Sequence, residues 1–394
     1  MRLKVLVLTT GIDKGRLAVL EAVAESEAVH ITLCRSTRWW WPKDYVQRVS
    51  LIESLRWGAN LPFWLFNDDV YVHLDPLIVA RVAAKEWDVV LLYGYASFTA
   101  LFVALAARAR SIPVILWSDA RVDYELTRAH WVRWFKTRLH GLASGFLASG
   151  TAAQRFLEIT GAPPARISVA PYSVDNEQIL CQSVRWKEAA SITRRGLGIP
   201  EAAPVLLYVG RMVKPKGVED LLRAAQRLQA AGCAFHLVLV GDGPDREHFE
   251  ASAAAAQMHS VHFTGRVDPD SVGKYYAIAS WFILPSHRDV WAKVVNEALL
   301  YGVPVITTRD VGAHYDLVIE GVTGYTYPTH DVEALTTRLT QVLQEPGLSN
   351  RLSANTFAVI GPWSISTAAK AVRYRLTQTL NESLSNAASG TPAG

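Results

Sequence analysis

The chain has 394 residues, enough for two domains that each bury a core, and 40 Lys and Arg against 36 Asp and Glu leave a formal charge of +4. So small an excess argues against nucleic-acid binding, which needs a concentrated basic stripe with interleaved stacking residues. The three cysteines, Cys34, Cys181 and Cys233, are scattered and lack metal-ligand spacing, which suits reduced structural residues, and no apolar run reaches transmembrane length.

The opening MRLKVLVLTTG has an apolar run too short for a signal peptide and suited to a first buried strand over 3–8, so a cytoplasmic protein is expected. Thr10, Gly11, Lys14 and Gly15 form a polar turn after it, with Gly15 the better position for close backbone approach. Further strands are expected at 29–33, 89–93, 114–117, 146–148 and 169–172, the last leading toward a second domain. Two aromatic-basic stretches, 35–43 and 128–140, belong to this half. In the second, Trp131, Phe135 and Leu139 share one face at helical spacing, and Arg133, Lys136 and His140 share another. That periodicity serves two arrangements equally: a helix lying on an anionic membrane surface, or one whose aromatic face packs in the core beneath a solvated basic face.

The pattern breaks over 171–200, which includes the polar segment SVDNEQ, and a second alternation of strands and helices runs from 205 to about 362. Residues 205–222, VLLYVGRMVKPKGVEDLL, read as a strand, a tight turn and a helix beginning near Val218. They offer Arg211 and Lys216 to one pocket, where a guanidinium can grip a diphosphate bidentately and an ammonium acts as a point charge. A lone basic pair after a strand is equally a surface feature. Gly241 and Gly243 suggest a dinucleotide fingerprint, but its third glycine would fall at Arg246 and Pro244 sits in the phosphate turn, which disfavours a nicotinamide site.

Residues 286–306, SHRDVWAKVVNEALLYGVPVI, follow an apolar strand at 281–285 and return to helical spacing at 293–301. Asp289 is expected in the loop and Glu297 about two turns into the helix, both facing one cleft beyond the carboxyl ends of the strands. Each carboxylate taken alone also fits a solvated helix face or a capping acid. A helix is expected over 366–380 after the GPWS turn.

On these motifs the chain resembles the family-4 retaining glycosyltransferases of bacterial polysaccharide and glycolipid type. Their signature is a Glu in this loop, a spacer, and a second Glu on the helix. Asp289 stands for the first and Glu297 for the second, Trp291 matches the intervening aromatic, and Val290 and Ala292 occupy positions where Gly is usual. Gly210, Arg211, Lys216 and Gly217 match the diphosphate-binding pattern, and the GDGP turn also fits.

The resemblance implies an α/β GT-B fold, two Rossmann-like domains facing a cleft. Residues 1–175 would form the acceptor domain, completed by a crossing helix at 364–385, with 176–363 the donor domain and 386–394 a flexible tail. Glu297 would bond the ribose, Asp289 with the amides of Trp291 and Ala292 would meet the sugar and its phosphate, and Gly210, Arg211 and Lys216 would hold the diphosphate. Arg266 would be a base contact or else a surface arginine at a strand end. Gly11 and Gly15 take the place of the family's glycine loop. Asp119 stands where many members carry a His after the strand that Pro113 opens, either bonding the sugar or acceptor or capping the next turn.

The activity implied is retaining, metal-independent hexosyl transfer, with no cofactor, from a nucleotide-diphosphate sugar to a saccharide or lipid-linked saccharide. Contact with the inner face of the cytoplasmic membrane would run through 128–140. The adjacent pair Asp68 and Asp69 is not an Asp-x-Asp metal motif at a strand end, so Arg211 and Lys216 would replace a metal. The substitutions at Asp289, Val290 and Ala292 also admit a binding or scaffolding protein of the same fold with impaired catalysis.

Overall fold

The computed structural model describes residues 2–9, 11–25, 28–35, 50–53, 59–60, 73–94, 97–122 and 130–389. Thr10, most of the 35–43 stretch, Asp68 and Asp69, Arg128, and the last residues of the tail lie outside them. The chain divides into two compact units, Met1–Ser173 with Ile365–Gly394, and Val174–Ser364.

In the first unit the strands are β1 (Leu3–Thr9), β2 (Val29–Arg35), β3 (Ser50–Glu53), β4 (Ala59–Asn60), β5 (His73–Leu74), β6 (Val89–Tyr93), β7 (Val114–Ser118), β8 (Gly145–Ala148) and β9 (Ile167–Val169). Among the described residues, seven form a sheet in the order β3-β2-β1-β6-β7-β8-β9, with every pairing parallel, and β4 and β5 form a separate antiparallel pair. The near-continuous apolar runs follow from burial of both faces. Val5, Val7, Leu91, Ile115 and Leu147 point to one side, against the helices Lys14–Ala24 and Ile365–Ser389, while Leu6, Leu8, Leu92, Leu116 and Phe146 point to the other.

The last strand lies upstream of the expected 169–172, because Pro171 has no N–H to give a ladder. Ala170 and Tyr172 still donate to the carbonyls of Ala148 and Ser149 at 2.8 and 3.0 Å. The C-terminal helix packs on the first unit through Ala368, Ala369, Val372 and Leu376, and extends to Ser389, past the expected start of the tail. Gly145 admits it closely, since a Cβ there would lie 2.5 Å from Thr379 Oγ1.

The second unit begins with two helices, Asn176–Glu188 and Ala190–Gly196, within the stretch where the sequence pattern breaks. Its sheet uses β10 (Val205–Val209), β11 (His236–Val240), β12 (Val261–Gly265), β13 (Trp281–Leu284), β14 (Val305–Thr308) and β15 (Gly324–Tyr327). These are ordered β12-β11-β10-β13-β14-β15 and are all parallel. Each sheet reverses its winding once, between β1 and β6 and between β10 and β13. At such a switch point the adjacent loops diverge and leave a crevice at the carboxyl ends.

The helix His130–His140 departs from both arrangements expected of it. Lys136 and His140, placed on a basic face open to solvent or membrane, are buried at 7% and 4% exposure, as is Leu139. His140 packs edge-on against Phe146 and Phe156, and Lys136 Nζ lies 5.9 Å from the Phe156 ring centre. The side chains of Trp131, Arg133 and Phe135 lie outside the description. Among the described residues no helix is long and apolar enough to cross a membrane.

Candidate active site

At the second switch point, β10 is followed by Gly210 and Arg211, and a short 3-10 turn, Lys214–Lys216, leads through Gly217 into the helix Val218–Ala230. Gly217 has φ +67°, and a Cβ there would lie 2.0 Å from the Pro285 carbonyl oxygen, so a side chain would drive the β10 and β13 loops apart. The glycines of the GDGP turn have a similar cause. A Cβ on Gly241 would lie 1.9 Å from Gly210 O, and one on Gly243 would lie 2.3 Å from Met212 O. Met212 N–H donates to Asp242 O at 2.9 Å, which holds this turn against the basic loop.

The approach of the two loops brings Lys216 Nζ into an ion pair with Asp289 Oδ2. Their side chains retain 19% and 18% exposure, so the pair is shielded yet reachable from solvent. Asp289 Oδ1 also accepts from Trp291 N–H at 3.2 Å. The loop backbone is held by Asp289 N–H to Asp310 O (3.1 Å), Gly312 N–H to Asp289 O (3.0 Å) and Ala313 N–H to Trp291 O (3.0 Å). Trp291 is buried, donates Nε1–H to Asn296 Oδ1 at 2.8 Å, and stacks on Trp363 with ring centres 4.8 Å apart. Ala292 then caps the helix Lys293–Leu300 at φ +74°, a left-handed conformation disfavoured for a residue with a Cβ.

The helix starts at Lys293 as its spacing indicated, and Glu297 is its fifth residue, just over one turn in rather than the expected two, because each turn takes about 3.6 residues. Its Oε2 accepts from Tyr276 Oη–H at 3.0 Å, and Tyr276 stacks on Tyr301. Desolvation raises the Glu297 carboxyl above its ordinary range, opposed by the Tyr276 hydrogen bond and the charge of Lys293. The charged form is thus disfavoured in the folded chain and gains from any further donor. Arg211 is exposed, its carbonyl accepting from buried Tyr208 Oη–H at 2.8 Å, and Arg266 is exposed just after β12.

The first switch point holds a second charged centre that sequence reasoning missed. Asp13 caps the helix Lys14–Ala24, its Oδ1 accepting from Gly15 and Arg16 N–H at 2.9 and 3.2 Å, and its Oδ2 from Tyr172 Oη–H at 3.0 Å. Arg16, at 2% exposure, pairs with Asp119 Oδ1 at 2.5 Å and donates to Ser149 Oγ. Its guanidinium carbon lies 4.3, 4.4 and 5.4 Å from the ring centres of Trp117, Tyr172 and Tyr93. Nε and Nη1 have no protein hydrogen-bond partner among the described residues, so these aromatic faces supply part of the cation's solvation. Burial opposes its charge, but Asp119, then Tyr93, Tyr172 and Asp13, outweigh it and hold the group more firmly protonated than usual.

Asp119 is therefore engaged rather than open. Oδ1 takes Arg16 and lies within reach of Ser149 Oγ, and Oδ2 takes Tyr93 Oη–H at 2.7 Å. Of roughly four acceptor directions on a carboxylate, these leave about one for any ligand. Gly15 does serve a close approach, but to this chain's own backbone: a Cβ there would lie 2.4 Å from Ser173 O. Gly11 N–H bonds to Thr9 Oγ1 at 3.1 Å, which tightens the turn after β1. An arginine three residues beyond an Asp cap, on a helix face otherwise apolar, was the available signal for Arg16.

Residues 190–359 match the family model described as glycosyl transferases group 1. The chain is 29% identical over 283 residues to the sulfoquinovosyl transferase SQD2 of Arabidopsis thaliana, a match covering 69% of this chain and 53% of that protein. It is 31% identical over 206 residues to a GDP-mannose-dependent alpha-mannosyltransferase of Mycobacterium tuberculosis, covering 52% of this chain and 49% of that one. The chain thus spans about half the length of these curated relatives. The crystal structure of Anabaena HepE in complex with UDP superimposes with a TM-score of 0.70 at 17% identity, over 96% of this chain and 100% of that one. The chain has the GT-B glycosyltransferase fold, and its second unit carries the match to glycosyl transferases group 1.

Proposed function

We propose that the protein is a retaining glycosyltransferase of family-4 type, moving a hexosyl group from a nucleotide-diphosphate sugar to a saccharide or lipid-linked saccharide acceptor. The observation that carries this reading is the Lys216–Asp289 pair, which brings two distant motifs together at the switch point between β10 and β13. Similarity to glycosyl transferases group 1 over this unit, and to a structure that holds UDP, supports a nucleotide-sugar donor.

In this reading Lys216 turns from Asp289 to the donor diphosphate, and Arg211 adds its guanidinium, so that cationic side chains offset the charge that grows on the leaving group. Asp289 and the amides of Trp291 and Ala292 orient the sugar, and Glu297 accepts from a ribose hydroxyl. The acceptor oxygen bonds to the anomeric carbon on the face that the diphosphate leaves, and the leaving phosphate oxygen takes the acceptor proton. Asp119 acts mainly through Arg16, Tyr93 and Ser149 as a positioning residue of the first unit.

The test is a thermal-shift panel of the full chain with UDP, GDP, ADP and their sugar conjugates, with and without divalent metal. A nucleotide at about a hundred times its Kd adds roughly 2.7 kcal/mol of stability. A metal-independent shift with one base, lost in Lys216→Ala, is the expected result. Shifts of equal size in parent and variant would remove Lys216 from the donor site.

A further inference from the structure

Beside Gly217, three side chains from separate segments converge. Asp220 lies in the first turn of the helix Val218–Ala230, His287 in the loop after β13, and His330 in the turn after β15. His287 Nε2 is 2.6 Å from Asp220 Oδ2, and the His287 and His330 ring centres are 3.8 Å apart. One potential ligand atom from each of the three lies within 4.8 Å of the others. We infer that Asp220, His287 and His330 form a binding site for a divalent transition-metal ion of the zinc class.

The donor set supports the assignment. Two imidazole nitrogens and one carboxylate oxygen are a ligand combination that zinc accepts with a fourth position left open, whereas calcium and magnesium seek oxygen-rich shells. With metal–ligand bonds of about 2.0 Å, a tetrahedral edge is about 3.3 Å. His287 and Asp220 would therefore open by less than about 1 Å from their present hydrogen bond, a change within reach of side-chain rotation.

Two features around the cluster lack another evident purpose. His330 holds a left-handed backbone at φ +62°, which is uncommon for a residue other than glycine and here places an imidazole against His287. Tyr327 is buried at 3% exposure, and its hydroxyl has no hydrogen-bond partner among the described residues. Tyr327 ends β15, the strand that leads into the His330 turn, so this buried hydroxyl belongs to the same strand end as the cluster. His330 is exposed, which leaves an entry path. An ion here would tie the start of the helix after Gly217 to the loop carrying Asp289, a structural role that does not depend on sugar transfer.

The test titrates Co2+ into the full chain after chelator treatment and exchange into metal-free buffer. The expected result is one Co2+ per chain, with the intense visible bands of a four-coordinate ion, displaced by Zn2+. His330→Gly removes a ligand while keeping a residue suited to the left-handed backbone, and His287→Gln removes a second. Each should weaken Co2+ binding by more than the roughly hundredfold that outer-shell changes cost. Weak octahedral bands, or equal binding by the parent and His330→Gly, would overturn the site. UDP-induced stabilisation in the same metal-free samples reports on the donor site separately, so either proposal can fail alone.

Discussion

The two switch points use the same topology for opposite electrostatic arrangements. In the first unit, Arg16 and Asp119 form a pair enclosed by Trp117, Tyr172 and Tyr93, with Arg16 at 2% exposure and most acceptor positions of Asp119 occupied. In the second, Lys216 and Asp289 form a pair with side-chain exposures of 19% and 18%, held by loops rather than by a cage. A caged guanidinium is locked in geometry and charge, whereas an ammonium on a flexible stem can exchange one anionic partner for another. The comparison places rigidity at the first switch point and exchangeable charge at the second.

The largest effect that would break this contrast comes from Arg16→Met. Removing one member of a buried pair leaves the other charge uncompensated and costs about 3–5 kcal/mol. Chemical denaturation should show that loss, and Arg16→Met with Asp119→Leu should recover part of it. A loss below about 1 kcal/mol would place Arg16 with ordinary surface pairs and dissolve the contrast.

Burial of basic groups in the first unit also predicts its acid response. Desolvation first, and then the charge of Lys136, lower the His140 pKa from 6.5 to about 4. The unfolded chain binds a proton that the folded chain refuses, so stability is full above pH 6.5 and falls as the pH drops toward about 4. The span corresponds to roughly 3 kcal/mol. Denaturation midpoints measured across that window should fall in the parent and fall less in His140→Leu. Matching pH profiles would show that His140 is solvated after all.

Smaller effects on stability, with larger ones on ligand binding, are expected at the second switch point. Lys216→Ala should change stability by less than about 1 kcal/mol. The same variant should weaken nucleotide binding by about 1.5–3 kcal/mol, roughly ten- to a hundredfold, by calorimetry. Glu297→Gln should lower turnover at least about tenfold through loss of a charged hydrogen bond. Its stability should hold or rise slightly, since the fold disfavours the charged carboxyl and Gln can still accept from Tyr276. Undiminished turnover would remove Glu297 from the site.

These differences explain what the sequence disclosed and what it did not. Apolar runs bounded by turn residues located β1, β6, β7 and the strands around Lys216 and Asp289, because a parallel sheet buried on both faces leaves a strong local signal. Arg16 left little such signal, since Tyr93, Trp117, Asp119, Ser149 and Tyr172 come from four other strand ends and meet it only in the fold. Helical spacing grouped Lys136 with His140 correctly but carried no information on which face the core would take. Asp220, His287 and His330 lack any metal-ligand spacing in sequence for the same reason: three parallel strands lie in the chain between Asp220 and His287, and two more between His287 and His330. The helix bearing Glu297 starts at Lys293 as its spacing indicated, but four residues from that start make little more than one turn, so the sequence reading set Glu297 too deep in it.

The Ala292 cap of that helix gives the smallest predicted effect and sharpens the account of the loop that carries Asp289. Three backbone hydrogen bonds, the Trp291–Asn296 bond and the Trp291–Trp363 stack all fix the chain on either side of Ala292. A Cβ on Gly312 would lie 1.8 Å from Val290 O, so the loop has no room to move toward the β14 side and release φ. Ala292→Gly should therefore raise stability by about 1 kcal/mol, the Cβ penalty of a left-handed residue. Because the neighbouring contacts hold the loop without that Cβ, nucleotide affinity should stay within about twofold, a shift of less than about 0.5 kcal/mol. A gain in stability with a large loss of affinity would mean that the alanine itself shapes the donor pocket, whereas no gain would mean that the loop relaxes to an ordinary backbone in solution. Only the combination of higher stability and retained affinity fits a loop whose strain is imposed by its surroundings and whose Lys216–Asp289 pair can exchange partners.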